Sequence, residues 1–239
     1  MTLSPPKPSS SMPAQILLKA TGLMRYNAKS HAHLLNCVDF SLAAGDRVAV
    51  TGPSGSGKSV FLRALALLDS LDAGQVFWRN IPVSGGGIPA FRRHVSYIAQ
   101  RPAMLEGTVE DNLRYPFTLK VYSDLHFSRE AAVRLAKQAG RDDGFLDKQS
   151  SELSGGEAQI AALIRVLQLQ PDVLLLDEPT AALDPESSQE IEALVTAWFN
   201  AAKDRGRAYL WVSHDQAQAQ RMSGRQLTML AGILSEELP

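Results

Sequence analysis

The chain has 239 residues, 45% hydrophobic and 21% charged, a globular composition that excludes a wholly disordered polypeptide. Its 24 Lys and Arg against 25 Asp and Glu give a formal charge of −1, so overall charge lends no support to a nucleic-acid partner. The single cysteine, Cys37, excludes an intramolecular disulfide framework.

The first fifteen residues (MTLSPPKPSSSMPAQ) hold four prolines and no apolar run. They read as a flexible tail over 1–15, not as a secretory signal. From Ile16 onward, short runs rich in Val, Ile and Leu alternate with helical stretches, which predicts one α/β domain over 16–239 with a buried sheet. Strands are expected at Ile16–Leu23, Val38–Leu42, Arg47–Thr51, Gln75–Trp78, His94–Ile98, Val173–Leu176, Tyr209–Val212 and Gln226–Leu230. Helices are expected at Lys58–Leu68, Arg129–Ala139, Gly156–Gln168, Ser187–Lys203 and Gln216–Met222. The first strands precede any crossover helix and suit an antiparallel edge. Residues 102–154 break the alternation: their helical patterning, punctuated at Tyr115-Pro116 and Asp142-Asp143-Gly144, predicts a mostly helical insertion.

Smaller features receive plain readings. Ser84-Gly85-Gly86-Gly87 reads as a flexible turn and Cys37, in an apolar strand, as a core filler. His31 and His33, in a polar loop without nearby carboxylates, read as solvated side chains and not metal ligands. Apolar runs such as Val173–Leu176 fall far short of the roughly 20 residues of a membrane span, so any membrane connection runs through a partner.

The strongest motif is Gly52-Pro53-Ser54-Gly55-Ser56-Gly57-Lys58-Ser59, which fits G-x-x-x-x-G-K-[ST] at every specified position. A strand precedes it and a helix follows, the context of a phosphate-binding P-loop. Glycines let backbone N–H groups wrap an anion, and the helix start adds partial positive charge. Lys58 is placed to reach the β- and γ-phosphates and Ser59 to offer a hydroxyl to Mg²⁺.

A second acidic element ends the run Val173-Leu174-Leu175-Leu176-Asp177-Glu178. Alone, it is balanced between a solvated turn and a site at the carboxyl edge of a strand; opposite a P-loop, Asp177 suits Mg²⁺ and Glu178 suits the attacking water. Leu153-Ser154-Gly155-Gly156-Glu157 opens a helical run. By itself it reads first as a capping box, serine with glutamate three residues on, and second as another phosphate cradle.

Together these motifs resemble the nucleotide-binding subunit of ATP-binding cassette (ABC) transporters, over about Ile16 to Gly232. The resemblance implies a P-loop NTPase core with an antiparallel β edge and a mostly helical insertion. It makes Gly52–Ser59 the Walker A motif, Asp177 and Glu178 the Walker B pair, and Leu153–Glu157 the signature. Gln100 falls at the Q-loop glutamine, touching Mg²⁺ and sensing the membrane partner. Ala182-Leu183-Asp184 is similar to the D-loop, with Asp184 also suited to capping the helix that follows. His214, in Trp211-Val212-Ser213-His214-Asp215, is similar to the switch histidine at the γ-phosphate, and Tyr26 to the aromatic that stacks on adenine. The implied assembly is a head-to-tail homodimer with two ATPs, each between the P-loop of one chain and Ser154, Gly155, Gly156 and Glu157 of the other. The implied partner is a separate membrane permease at the cytoplasmic face of the inner membrane.

Two departures from the family pattern stand out. Val60 occupies the nucleotide-facing position where the family usually has threonine, which removes a hydroxyl from the α-phosphate. Ile160 replaces an arginine in the run after the signature, read here as the loss of a surface or interface charge. Three stretches (Leu35–Leu42, Gly107–Leu113 and Ala208–Asp215) look closest to the bacterial iron-export ATPase subfamily. Subunits serving phosphate, amino-acid or lipoprotein-release systems are very similar. The rival classes fit less well: soluble ABC ATPases carry a long coiled coil or a second cassette, and a P-loop kinase needs neither the LSGGE run nor a switch histidine.

Overall fold

The computed structural model describes residues 15–28, 32–201 and 206–236. The tail expected before Gln15, His31, and the end of the helix expected at Ser187–Lys203 lie outside those residues. The strands are β1 (Ile16–Asn27), β2 (Ala32–Ala43), β3 (Arg47–Thr51), β4 (Ala73–Trp78), β5 (Ile81–Pro82), β6 (Val95–Ile98), β7 (Val173–Asp177), β8 (Ala208–Val212), β9 (Arg225–Leu230) and β10 (Ile233–Glu236). The helices are α1 (Lys58–Leu65), α2 (Ile88–His94), α3 (Val109–Arg114), α4 (Arg129–Gln138), α5 (Gly155–Leu167), α6 (Pro185–Asn200) and α7 (Gln216–Met222).

The strands make two sheets. One, ordered β2-β1-β4-β5, is antiparallel. The other, ordered β10-β9-β3-β8-β7-β6, is parallel except for β10 at its edge. Every residue of β7 and β8 is buried, which explains their unbroken apolar sequence: helices or the other sheet cover both faces. The two-residue period of a strand divides their side chains between two cores. Val173 and Leu175 join Phe61, Leu62 and the first sheet's Leu17, Leu23 and Phe40 on one side. Leu174, Leu176 and Trp211 join Ile164 of α5 and Leu194 of α6 on the other. Leu113, Ala132 and Phe145, from the segment expected to be helical, pack into that second core.

Several expectations need correction. The expected antiparallel strands are present, and they form a sheet of their own beside the parallel one. β2 begins at Ala32, not Val38, and the β1–β2 register shifts between the pairs Leu23–Val38 and Arg25–Leu35, across Cys37. Cys37 is exposed at φ +52, so it sits on a bulge and does not fill the core. Helix α1 stops at Leu65 instead of Leu68. Ser84 to Gly87 is not a loose turn but leads through a 3-10 turn into α2. The β9–β10 hairpin turns through Ala231 (φ +47) and Gly232 (φ +76), the left-handed pair a two-residue hairpin needs.

One buried polar network joins the elements around the sheet's carboxyl edge. Gln218 of α7 accepts from Ser213 Oγ at 2.8 Å and Trp211 Nε1 at 3.3 Å. Its Nε2 donates to Thr180 Oγ1 at 2.9 Å and to Glu192 Oε1 at 2.8 Å. Glu192 in turn takes Arg221 Nε at 2.9 Å and Nη2 at 2.8 Å. Gln218→Leu strands these donors and acceptors in a low-dielectric site and is expected to lower the unfolding free energy by about 2–4 kcal/mol in urea denaturation. A loss below about 1 kcal/mol would mean that water substitutes for the amide.

Candidate active site

Strand β3 delivers the chain to Gly52, and α1 starts at Lys58. Gly52 lies at φ +134, where an added Cβ would stand 2.2 Å from Met229 O. Gly57 lies at φ +107, and its Cβ would stand 2.5 Å from Leu34 O. Strands β9 and β2 therefore press on the loop so closely that only glycine fits at either end. Lys58 is 6% exposed, and its Nζ donates to Gly52 O at 2.8 Å and Pro53 O at 3.0 Å. The Ser56 hydroxyl is buried without a hydrogen-bond partner, and no side chain caps the start of α1. A buried ammonium, an orphaned hydroxyl and uncapped helix amides together suit a phosphate group.

The acids face this loop from the end of β7. Asp177 is held on both oxygens: Ser59 Oγ donates to Oδ1 at 3.0 Å and Tyr97 OH to Oδ2 at 2.9 Å. Burial and the Asp177 charge push the Tyr97 phenol well above its ordinary pKa, so it stays a donor. Glu178 takes a left-handed backbone at φ +45, a strain of order 1 kcal/mol for a residue with a Cβ. Its carboxylate lies 3.8 Å from Lys58 Nζ, accepts from Gln100 Nε2 at 3.1 Å, and stands 3.7 Å from His214 Nδ1. Lys58, Ser59, Gln100, Asp177, Glu178 and His214, distant in sequence, thus form one cluster. It borders a cavity of about 350 Å³ lined by Leu34, Ser54, Gly55, Gly57, Lys58, Ser59, Val60, Gln100 and Glu178.

Among the described residues, no group of three or more His, Cys, Asp or Glu is placed to hold a metal. The oxygen donors at hand are the Asp177 carboxylate, the Ser59 hydroxyl and the Gln100 amide. That set fits Mg²⁺, which takes few protein ligands and completes its shell with water and substrate phosphate.

The remaining expected residues lie outside this cavity. Tyr26 is exposed on β1, with its ring 5.4 Å from that of His33 on β2, the strand that also carries Leu34. His33 is therefore in a strand, not in the polar loop expected for it. Ser154 caps α5: its hydroxyl accepts from Glu157 N at 3.2 Å, and Glu157 Oε2 accepts from Ser154 N at 3.0 Å. Ser154 and Gly155 are exposed, while a Cβ at Gly156 would stand 2.7 Å from Ser187 Oγ of α6. Asp184 caps α6 by accepting from Ser187 N at 2.9 Å and Ser187 Oγ at 2.8 Å.

Position 160 needs correction: Ile160 is fully buried on α5, so the arginine it replaces is not a surface charge in this fold. Two residues that sequence reading passed over also contribute. Gln159 Nε2 donates to Ala99 O at 3.2 Å, tying α5 to the residue before Gln100. Tyr97 is the other, and its signal was a phenol in the short strand that leads to Gln100.

The Lys148 ammonium, 2.6 Å from Glu157 Oε1, is the main cause that holds the Glu157 carboxyl below its ordinary value of 4.5, with bonds from Ser154 adding to it. A depressed folded pKa contributes stability present above the unfolded value and lost as pH falls through the folded one. Lys148→Gln is therefore expected to move the acid limb of thermal stability toward higher pH, in melts taken between about pH 6 and pH 3. An unchanged acid limb would show that the cap does not depend on Lys148.

Comparison with known proteins identifies the family and the fold. The family pattern described as ABC transporter matches residues 35–181. Protein STAR1 of Oryza sativa subsp. japonica is 40% identical over 222 residues, covering 93% of this chain; the chain spans 62% of that relative's length. The probable iron export ATP-binding protein FetA of Escherichia coli (strain K12) is 37% identical over 187 residues, 77% of this chain and 80% of FetA. Among solved structures, the ATP-binding cassette MJ0796, a dimer in a post-hydrolysis state bound to ADP and Pi, superposes with a TM-score of 0.80 at 24% identity. The match covers 93% of this chain and 100% of that one, and establishes the shared fold. With its P-loop, paired acids and matched family pattern, the chain belongs to the ABC transporter family as an ATP-binding ATPase domain.

Proposed function

We propose that the chain drives a separate membrane permease by binding and hydrolysing ATP as a head-to-tail homodimer. The observation that carries this reading is the division of the motifs. Lys58, Ser59, Gln100 and Glu178 line one cavity, with Asp177 bonded to Ser59 and His214 beside Glu178, while Ser154 and Gly155 are exposed at the capped start of α5, outside that lining.

In this reading the amides of Gly52, Pro53, Ser54, Gly55, Ser56, Gly57, Lys58 and Ser59 cradle the phosphates, and Lys58 exchanges its carbonyl partners for them. Val60 gives the nucleotide an apolar contact and Tyr26 stacks on adenine. Ser59, Asp177 and Gln100 hold Mg²⁺, which when bound neutralises charge on the β- and γ-phosphates. Glu178 accepts the proton of the attacking water, and His214 contacts the γ-phosphate. Ser154, Gly155, Gly156, Glu157 and Asp184 serve the nucleotide of the partner subunit. ATP bridges both surfaces and ADP does not, so hydrolysis opens the dimer.

A surface for the permease is also at hand. Among the described residues, eight large hydrophobic side chains are exposed, and Leu68, Leu105, Tyr115 and Leu119 of these line one groove between α1, β6 and the helical segment. Apolar surface gathered in this way marks a docking site. Its wall includes Val95, Ser96 and Tyr97 of β6, the strand that leads to Gln100. No described helix is long and apolar enough to cross a membrane; in this reading the subunit docks on a permease at the cytoplasmic face. Cargo is selected by the permease; the likeness to FetA makes iron export the cargo to test first.

Glu178→Gln keeps the shape of the side chain but removes its charge, and is expected to slow hydrolysis roughly 10²–10⁴-fold while sparing ATP binding. With Mg²⁺ and ATP it should run as a dimer on size exclusion, and with ADP as a monomer. Wild-type hydrolysis would remove Glu178 from the mechanism, and absence of an ATP-dependent dimer would count against the shared site. Ser154→Arg is expected to bind ATP as a monomer yet fail to dimerise. Equal loss of monomer binding would place Ser154 in its own chain's site.

A further inference from the structure

Tyr97 has no part in the scheme above, yet it is the side chain that spans from the apolar groove to the metal-side acid. On β6 it stands opposite Leu175 of β7, in a parallel register that puts Asp177 two residues further along the same face. Tyr97 is among the residues that line the groove carrying Leu105, Tyr115 and Leu119. Its hydroxyl donates to Asp177 Oδ2 at 2.9 Å. The other carboxylate oxygen is taken by Ser59 at 3.0 Å. Asp177 is 4% exposed, so water has little access to replace either bond. With both oxygens engaged the carboxylate has one orientation, and the Tyr97 hydroxyl is one of the two groups that set it.

We propose that Tyr97 is a positioning residue for Mg²⁺: by holding Asp177 Oδ2 it fixes the carboxylate for the metal that accompanies ATP. The inference rests on the reading of Asp177 as the metal-side acid. A group one bond removed from a metal ligand tunes affinity through the ligand's orientation, and losing such a partner typically costs 10- to 100-fold in metal binding.

The test is the affinity of the full chain for ATP, measured calorimetrically across a Mg²⁺ titration and again in EDTA, for the wild type, Tyr97→Phe and Asp177→Asn. Phenylalanine keeps the ring and deletes only the hydroxyl. Tyr97→Phe is expected to raise the Mg²⁺ concentration for half-maximal tightening of ATP about tenfold while leaving binding in EDTA unchanged. At saturating Mg²⁺ its kcat is expected to return close to the wild-type value. Asp177→Asn is expected to raise the Mg²⁺ requirement further. If Asp177→Asn shifts the Mg²⁺ dependence and Tyr97→Phe does not, or tightens it, the role of Tyr97 falls and the Asp177 reading stands. If Asp177→Asn leaves the dependence unchanged, the reading beneath the proposal fails with it. An equal loss of ATP binding with and without Mg²⁺ in Tyr97→Phe would assign the hydroxyl a purely structural role and overturn the proposal.

Discussion

One buried ammonium sets the terms for everything around it. Lys58 is almost wholly removed from water, and an unpaired cation in such a place costs several kcal/mol. The Gly52 and Pro53 carbonyls supply its partners, and they face inward because Gly52 adopts a backbone closed to other residues. Glu178 completes the set from across the site, at the cost of a left-handed backbone. A phosphate group offers the same cation a stronger set of acceptors. The loop is thus preorganised for the ligand charge by the measures that keep its own charge satisfied.

The two-sheet frame explains how so many distant residues meet there. β3, β7 and β8 run parallel through the core, so their carboxyl ends open at one edge and release the P-loop, the acids and His214 side by side. The antiparallel sheet presses Leu34 of β2 against Gly57 from outside. The Gln218 network then fixes Ser213, just before His214, to Thr180, just after the acids. None of this needs a long-range wire; it follows from neighbouring strands ending together.

The parts legible in sequence are those whose chemistry is contiguous. Gly52 to Ser59 and the apolar run into Asp177 announce themselves because the loop needs every residue in a row and β7 is buried on both faces. The serine–glutamate spacing at Ser154 and Glu157 reads as a cap for the same reason, and the cap is there. What stayed hidden depends on tertiary contact. Around Cys37 the alternation breaks, with Asn36 and Cys37 both exposed between buried Leu35 and Val38, but a cysteine beside apolar residues reads as core until the pairing with β1 is seen. Ile160 looked like a lost charge until α5 turned that position into the second core. The Tyr97 contact with Asp177 arises from the register of β6 on β7, which no single strand encodes.

The close approach at Gly156 carries a mechanical implication. There is no room for a Cβ between this residue and Ser187 Oγ, and the same hydroxyl donates to Asp184. The starts of α5 and α6 therefore touch without slack, like meshed teeth with no play between them. A side chain at position 156 would have to displace Ser187 and with it the bond its hydroxyl gives to Asp184. Packed interiors resist compression and pass strain along, so a larger residue at the start of α5 is felt at the start of α6.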